Sequence, residues 1–139
     1  MSELRWLVGH SFQTFTRREF DWVLVLDENV QIVIWCLWRL VEDGRIRFTS
    51  EDDGQQFGLP SPVDAAAEVN RCLARASIEA VELRKGILDL ELRFNTGHIF
   101  QVIPDSSGYE AWNVSNGSNQ FIAVGGGELA IFGSGSIGS

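Results

Sequence analysis

The sequence predicts an α+β fold in which two mainly antiparallel β-meanders are linked by one central helix. The first observation is a stretch near the middle of the chain, residues 61–75, in which apolar residues recur at helical spacing behind a capping signal. The second is the alternation of apolar and polar residues, broken by short turns, in the halves on either side, about 5–58 and 77–132. The third is a weak similarity between these halves, which suggests an internal duplication.

The first half contains several strand patterns. Residues 12–16, 22–26 and 45–49 are predicted strands because β-branched and aromatic residues lie there between polar turns. Residues 30–40 form a longer run that is apolar on both faces, long enough to bend or to cross between two layers. A short strand is also predicted at 55–57 before the helix begins.

The central helix has a well-marked start. Ser61 is the predicted N-cap, Pro62 fits the first helical position, and Asp64 completes a capping box. One face of the helix is apolar, and its members are Ala65, Ala66, Val69, Cys72, Leu73 and Ala76. We expect this face to pack on a sheet.

Six strands are predicted after the helix, and they are residues 78–83, 87–94, 98–103, 109–114, 120–124 and 128–132. The run Gly125-Gly126-Gly127 is interpreted as a bulge or turn that uses backbone conformations cheap only for glycine. No Lys-Ser or Lys-Thr pair follows this run, so a phosphate site is not expected.

The duplication is predicted from two offsets. Ser11 and Phe12 match Ser77 and Ile78 at an offset of 66. Residues 22, 24 and 26 match 88, 90 and 92 at the same offset, whereas Gly44, Phe48, Gln56 and Phe57 match Gly108, Trp112, Gln120 and Phe121 at an offset of 64. A true duplication predicts two meanders related by a pseudo-twofold axis, and chance matching of alternating patterns is the alternative.

Composition and charge limit the function classes. The chain has 139 residues, of which 45% are hydrophobic and 22% charged, which is typical of one globular domain. We expect one domain at 1–132 and a flexible Gly/Ser tail at 133–139. The formal net charge of −8 disfavours nucleic-acid binding and suits either a basic protein partner or simple solubility.

Neither a signal peptide nor a membrane span is predicted. The first eight residues have an acid at position 3 and no uninterrupted apolar run, unlike a secretory signal. The longest apolar run, residues 30–41, is interrupted by Gln31 and Arg39 and is too short to cross a bilayer as a helix. We therefore predict a cytoplasmic location without membrane association.

The most concentrated cluster of polar and aromatic residues lies at 104–112. One interpretation makes Asp105, Tyr109, Glu110 and Trp112 the rim of a groove that binds a ligand or partner, because Tyr and Trp combine apolar area with a hydrogen-bond donor. The alternative is a turn followed by a strand whose aromatic residues pack in the core.

Further partner contacts are predicted at Trp35 and Trp38. Together with Trp22 these residues supply more apolar strand surface than one helix can cover, which predicts a homodimer.

No metal site, cofactor or catalytic residue is predicted. His10 and His98 have no Cys, Asp or Glu at ligand spacing. Cys36 and Cys72 lie in apolar surroundings and are interpreted as small core residues. A Gly-x-Ser-x-Gly motif and a Cys with a His partner are both missing, so nucleophilic catalysis is not indicated.

Three short motifs stand out, at residues 56–60 (QFGLP), 107–112 (SGYEAW) and 125–130 (GGGELA). Together they resemble the motifs of a family of small bacterial proteins with a domain of unknown function. The resemblance covers nearly the whole chain and implies a bacterial origin and a shared fold without an activity. Some similar short domains lie in toxin and immunity neighbourhoods, which is an association and not a mechanism.

The leading hypothesis is a non-catalytic bacterial protein that acts through protein contact, as a homodimer. Its specialised form is an immunity protein that neutralises a basic toxin through its acidic face. The rival hypothesis is an enzyme or small-ligand-binding protein with a pocket formed by Asp105, Tyr109, Glu110 and His98.

Overall fold

The computed structural model describes residues 3–133. The first-half strands are β1 (Phe12–Arg17), β2 (Trp22–Leu26), β3 (Gln31–Ile34), β4 (Leu37–Glu42) and β5 (Arg45–Thr49). The helix is α1 (Ala65–Leu73). The second-half strands are β6 (Ile78–Leu83), β7 (Leu90–Phe94), β8 (Ile99–Ile103), β9 (Trp112–Ser115), β10 (Asn119–Val124) and β11 (Glu128–Gly133). Apart from Gly133, the tail predicted at 133–139 lies outside the described residues.

The strands form two antiparallel sheets, which confirms the predicted fold class. The first sheet has six strands in the order β1-β2-β3-β9-β10-β11, and the second has five in the order β5-β4-β8-β7-β6. Each sheet therefore combines strands from both halves of the chain. This mixing arises because the chain leaves the first sheet at residues 35–36, between β3 and β4, and returns to it at residues 104–111, between β8 and β9.

Backbone contacts near the start of each half support the predicted duplication. Ser11 and Ser77 form an antiparallel bridge with each other. The N–H of Phe12 donates to the carbonyl of Ala76 at 2.8 Å, and the matching N–H of Ile78 donates to that of His10 at 2.9 Å. β1 and β6 also have register irregularities at equivalent positions. Such hydrogen bonds flank any antiparallel bridge, so the stronger support is that the order β1-β2-β3-β9-β10 in the first sheet repeats as β6-β7-β8-β4-β5 in the second. The duplication itself stays a prediction.

The details of the duplication differ from the predicted offsets. Leu24 on β2 lies opposite Phe15, and Leu92 on β7 lies opposite Val81, so β2 and β7 match at an offset of 68. The turn between β6 and β7 is two residues longer than the turn between β1 and β2. The match of Phe48 to Trp112 is wrong, because these residues lie on β5 and β9, which have different places in their sheets.

The helix is shorter than predicted and has a different cap. Asp64 is its N-cap, and the Asp64 side chain accepts a hydrogen bond from the N–H of Ala67 at 3.1 Å. Ser61 and Pro62 lie outside the helix because Val63 is held in backbone hydrogen bonds with residues 54–55. The predicted strand at 55–57 is likewise wrong, since these residues belong to no strand of the structure.

The helix covers the outer edge of β1 through Asn70. The Asn70 Oδ1 atom accepts from the N–H of Phe15 at 2.8 Å, and the Asn70 Nδ2 group donates to the carbonyl of Phe15 at 2.7 Å. The same Nδ2 group donates to the carbonyl of Ala66 within the helix at 2.8 Å. The side-chain amide thus takes the place that a neighbouring strand would occupy beside this edge.

The two sheets meet in one aromatic core. Phe15 and Trp22 of the first sheet stack on each other with ring centroids 5.4 Å apart. Trp38 of the second sheet lies edge-on to both rings, and Phe100 stacks on Trp38 at 5.4 Å. This cluster fixes how the sheets face each other.

Trp22 and Trp38 therefore offer no exposed apolar surface to a second copy, contrary to the prediction. Trp38 is 0% exposed and Trp22 is 4% exposed within one copy of the chain, because the second sheet covers what a single helix could not. The oligomeric state itself stays a prediction.

Candidate functional site

An open groove lies where the two crossings between the sheets meet. Trp35 belongs to the first crossing, and residues 104–111 form the second. The N–H of Trp35 donates to the carbonyl of Ala111 at 2.9 Å, which ties the two walls together. The groove has a volume of about 680 Å³ and is lined by Trp35, Asp105, Ser106, Gly108, Tyr109, Glu110 and Ala111.

The groove presents two aromatic and two acidic side chains to solvent. Trp35 is 42% exposed and Tyr109 is 78% exposed. Asp105 and Glu110 are also exposed, and neither forms a hydrogen bond or an ion pair with another residue of the described chain. Four of the predicted binding residues, Trp35, Asp105, Tyr109 and Glu110, are thus brought together, and the two carboxylates are available to a ligand.

Trp112 does not form part of the rim, contrary to prediction. Its side chain is 0% exposed, and its indole N–H donates to the carbonyl of Leu88 at 3.0 Å. Trp112 begins β9 and points into the core, so the packing interpretation applies to it. Trp38 is fully buried as well, and neither residue can contact a partner in this conformation.

Glycines support the groove wall from behind. An added Cβ atom at Gly125 would lie 2.7 Å from the carbonyl oxygen of Ser107, and one at Gly127 would lie 2.0 Å from that of Gly86. Gly126 and Gly127 also have φ values of 80° and 77°. The run forms a short 3-10 turn, in agreement with the predicted turn. Only glycine permits its close approach to Ser107 in the second crossing and to Gly86 between β6 and β7.

The thiol of Cys36 is buried beneath the groove. Burial, reinforced by the negative charge of Asp105, raises the pKa of Cys36 to about 12. The side chain is therefore a neutral thiol at physiological pH, and it cannot serve as a thiolate nucleophile for the groove.

His98 lies away from the groove, in a second cluster of polar side chains. Its Nε2 atom is 2.9 Å from Oε2 of Glu42, and its Nδ1 atom is 2.8 Å from Oγ1 of Thr96. The structure therefore does not assemble the predicted pocket of Asp105, Tyr109, Glu110 and His98 as one site.

The second cluster also contains Cys72 of α1. The ligand atoms of Glu42, Cys72 and His98 all lie within 4.8 Å of one another, and all three residues are half-buried. Sequence reasoning missed this cluster because its members are far apart in the chain and have no characteristic spacing. The only available signal was the alternation that places His98 at the start of a strand.

The fold and the groove define an α+β domain of two antiparallel sheets with an acidic, aromatic groove on its surface. Residues 4–133 match the model of a family of unknown function (DUF6188), and the chain belongs to that family. Searches of curated proteins and of solved structures found no match. Within residues 3–133, the helices lack the length and apolar character needed to cross a membrane.

Proposed function

We propose that the protein is a non-catalytic binding domain whose groove takes a basic segment of a partner protein. The observation that carries this proposal is the pairing of two exposed aromatic rings, Trp35 and Tyr109, with two exposed carboxylates, Asp105 and Glu110. The groove lining contains no Lys or Arg to oppose a cation.

This combination suits Arg or Lys for two physical reasons. A guanidinium or ammonium group over a Trp or Tyr ring is attracted by the negative face of the ring, with about 0.5–2 kcal/mol per contact. The carboxylates add charge-assisted hydrogen bonds, which Arg can make in pairs. The net charge of −8 also steers a basic partner toward the domain at low salt.

The same features favour binding over catalysis. The residues that line the groove include neither an imidazole nor a thiol, and the Cys36 thiol beneath it is neutral. Both carboxylates are exposed to water, which does not favour the tuned acid and base of an active site. An open groove with aromatic anchors is typical of protein recognition.

A peptide array tests this proposal. Short capped peptides that vary Arg, Lys, Glu and neutral residues would be presented to the protein, and the best binder would be measured in solution by calorimetry. We expect basic peptides to bind and acidic peptides not to bind. W35A should weaken binding about 2- to 30-fold through loss of the ring contact, and raising the salt concentration should weaken it further.

A charge-matched control distinguishes binding in the groove from attraction by the net negative charge of the protein. D105N/E110Q and E28Q/E79Q remove the same two negative charges, but Glu28 and Glu79 are exposed residues outside the groove. Binding should fall in the first variant and persist in the second. Equal loss in both variants, or equal binding of neutral peptides, would contradict a specific basic-segment site.

The immunity-protein role is the specialised form of this proposal, with a basic toxin as the partner. A bacterial origin and a cytoplasmic location belong to that form. Co-purification with a toxin encoded beside the gene would support it, provided that D105N/E110Q abolishes the complex.

A homodimer is a separate form of protein contact, and one observation favours it. β11 is the outer strand of the six-stranded sheet among the described residues, and its Phe132 and Ile131 side chains are 58% and 37% exposed. A second copy could cover this apolar edge. Light scattering of the intact protein and of F132K would test this, and a monomer in both would contradict it.

A further inference from the structure

We propose that Glu42, Cys72 and His98 form a binding site for a divalent transition-metal ion, with Zn²⁺ as the ion that best suits the donor set. The three ligand atoms lie within 4.8 Å of one another and come from three separate elements. A thiolate, an imidazole nitrogen and a carboxylate oxygen are the donor types that Zn²⁺ takes in proteins. This inference does not depend on the proposed function of the groove.

The fold places these residues together. β4 and β8 are antiparallel neighbours, and Val41 lies opposite Ile99, so Glu42 and His98 are side by side at one end of the pair. Cys72 lies in the last turn of α1, where the negative end of the helix dipole favours a nearby cation.

The histidine is already oriented for metal binding. The hydroxyl of Thr96 lies 2.8 Å from Nδ1 of His98 and can accept a proton from it, which leaves the Nε2 lone pair for a metal ion. In the structure Nε2 lies 2.9 Å from Oε2 of Glu42. A metal ion would take the place of the proton between these two atoms and bind both, and the neutral imidazole would then carry its proton on Nδ1, facing the Thr96 hydroxyl.

The carboxylate of Glu42 also has a charged partner outside the proposed site. Nε of Arg47 lies 3.3 Å from Oε1 of Glu42, so Oε2 is the oxygen left for the metal ion. The ion pair fixes one oxygen of the carboxylate, and partners outside the ligand shell orient ligating carboxylates in metalloproteins.

Metal binding requires only small shifts of the three ligand atoms. Tetrahedral zinc with ordinary ligand bonds has its ligand atoms about 3.3–3.6 Å apart. The Cys72 sulfur, which lies within 4.8 Å of the other two ligand atoms, must therefore approach them by up to about 1.3 Å. Nε2 of His98 and Oε2 of Glu42, which are 2.9 Å apart, must separate by about 0.4 Å, and side-chain rotation can supply both changes. The thiol proton of Cys72 would leave to solvent, and the thiolate and carboxylate would neutralise the charge of the ion. Three protein ligands leave a fourth position for water.

Cobalt titration provides the direct test. The reduced, tag-free protein would be titrated with Co²⁺, and then Zn²⁺ would be added to displace it. We expect a thiolate-to-cobalt charge-transfer band in the near ultraviolet and visible bands of tetrahedral cobalt. C72A should remove the charge-transfer band, and H98Q and E42Q should weaken metal affinity at least about 100-fold, because even outer-partner changes cost about 10- to 100-fold.

Matched controls keep the result interpretable. H10Q removes the other histidine, whose Nδ1 atom lies 2.6 Å from Oδ1 of Asp27. C36A removes the other thiol. Neither variant should reduce the affinity for the metal ion. T96V should weaken binding about 10- to 100-fold through the orientation of His98. Circular dichroism would confirm that each variant is folded.

A measurement on the unmodified protein makes the test independent of the variants. Zn²⁺ should slow the alkylation of Cys72 at least about tenfold, as judged by mass spectrometry, because a metal-bound thiolate is not free to react. Absence of both the charge-transfer band and this protection, or a band lost in C36A and kept in C72A, would overturn the proposal.

Discussion

Replacing Asn70 by Ala should destabilise the protein by about 2–3 kcal/mol. The Asn70 amide makes three hydrogen bonds, two of them to the backbone of Phe15 on the edge strand β1. Each such bond contributes about 1 kcal/mol net, and a backbone group left without a partner in a part-buried place costs about 1–3 kcal/mol. The better helix propensity of Ala offsets about 0.5 kcal/mol of this loss.

Urea unfolding followed by tryptophan fluorescence measures this effect. With a slope of about 1–3 kcal/mol per molar urea, the midpoint should fall by about 0.7–3 M. N113A is the matched control, because the Asn113 side chain donates one exposed hydrogen bond, to Gln120, and its removal should cost less than about 1 kcal/mol. A loss below about 0.5 kcal/mol in N70A would refute the view that this amide closes the edge of the sheet.

Two further stability predictions follow from the groove and its surroundings. G127A should destabilise the protein by more than G117A, as measured by urea unfolding. Both glycines have positive φ, but only at Gly127 would the new Cβ atom meet a carbonyl oxygen, at 2.0 Å. Equal losses in the two variants would contradict the close-packed turn. Burial raises the pKa of Cys36 from 9.0 to about 12, so its contribution to stability is fully present below about pH 9 and is lost as the pH rises through about 12. The free energy of unfolding of the unmodified protein should therefore fall more steeply over this range than that of C36A, by up to about 1.4 kcal/mol per pH unit, and parallel pH curves would contradict the assignment.

The sequence predicted the local elements well where side-chain alternation was strong. In the run at 30–40, Ile32, Ile34 and Trp38, which share one face of the predicted alternation, are all buried. The other face was also predicted to be apolar, and its Trp35 is 42% exposed. The predicted bend or crossing is found at 35–36, where the chain changes sheet. Alternation persists across such a break because both sheets bury the same face of the chain.

The start of the helix could not be placed correctly, because the deciding contacts are not local. Ser61 and Pro62 satisfy the statistical rules for a helix start. Pairing of Val63 with residues 54–55 keeps the segment extended, and Asp53 accepts the N–H of Ala65 at 3.0 Å through its side chain. Tertiary contacts thus moved the cap to Asp64.

The binding residues were predictable only in part. The 104–112 segment was identified from composition, which cannot tell a rim residue from a core residue. Trp112 is buried because its place on β9 turns it inward, whereas Tyr109 lies in the preceding loop and stays exposed. The cluster of Glu42, Cys72 and His98 depends on strand pairing and helix packing, which no spacing rule encodes.

The most direct test of the groove is a tryptophan-resolved titration. The amide and indole N–H resonances would be followed by two-dimensional NMR while a basic peptide from the array is added. We predict that the Trp35 indole and the backbone amides of 105–111 shift in a saturable way, while the indoles of the buried Trp38 and Trp112 stay in place. Saturable shifts confined to another surface, with Trp35 unmoved, would contradict the assignment of the groove as the binding site.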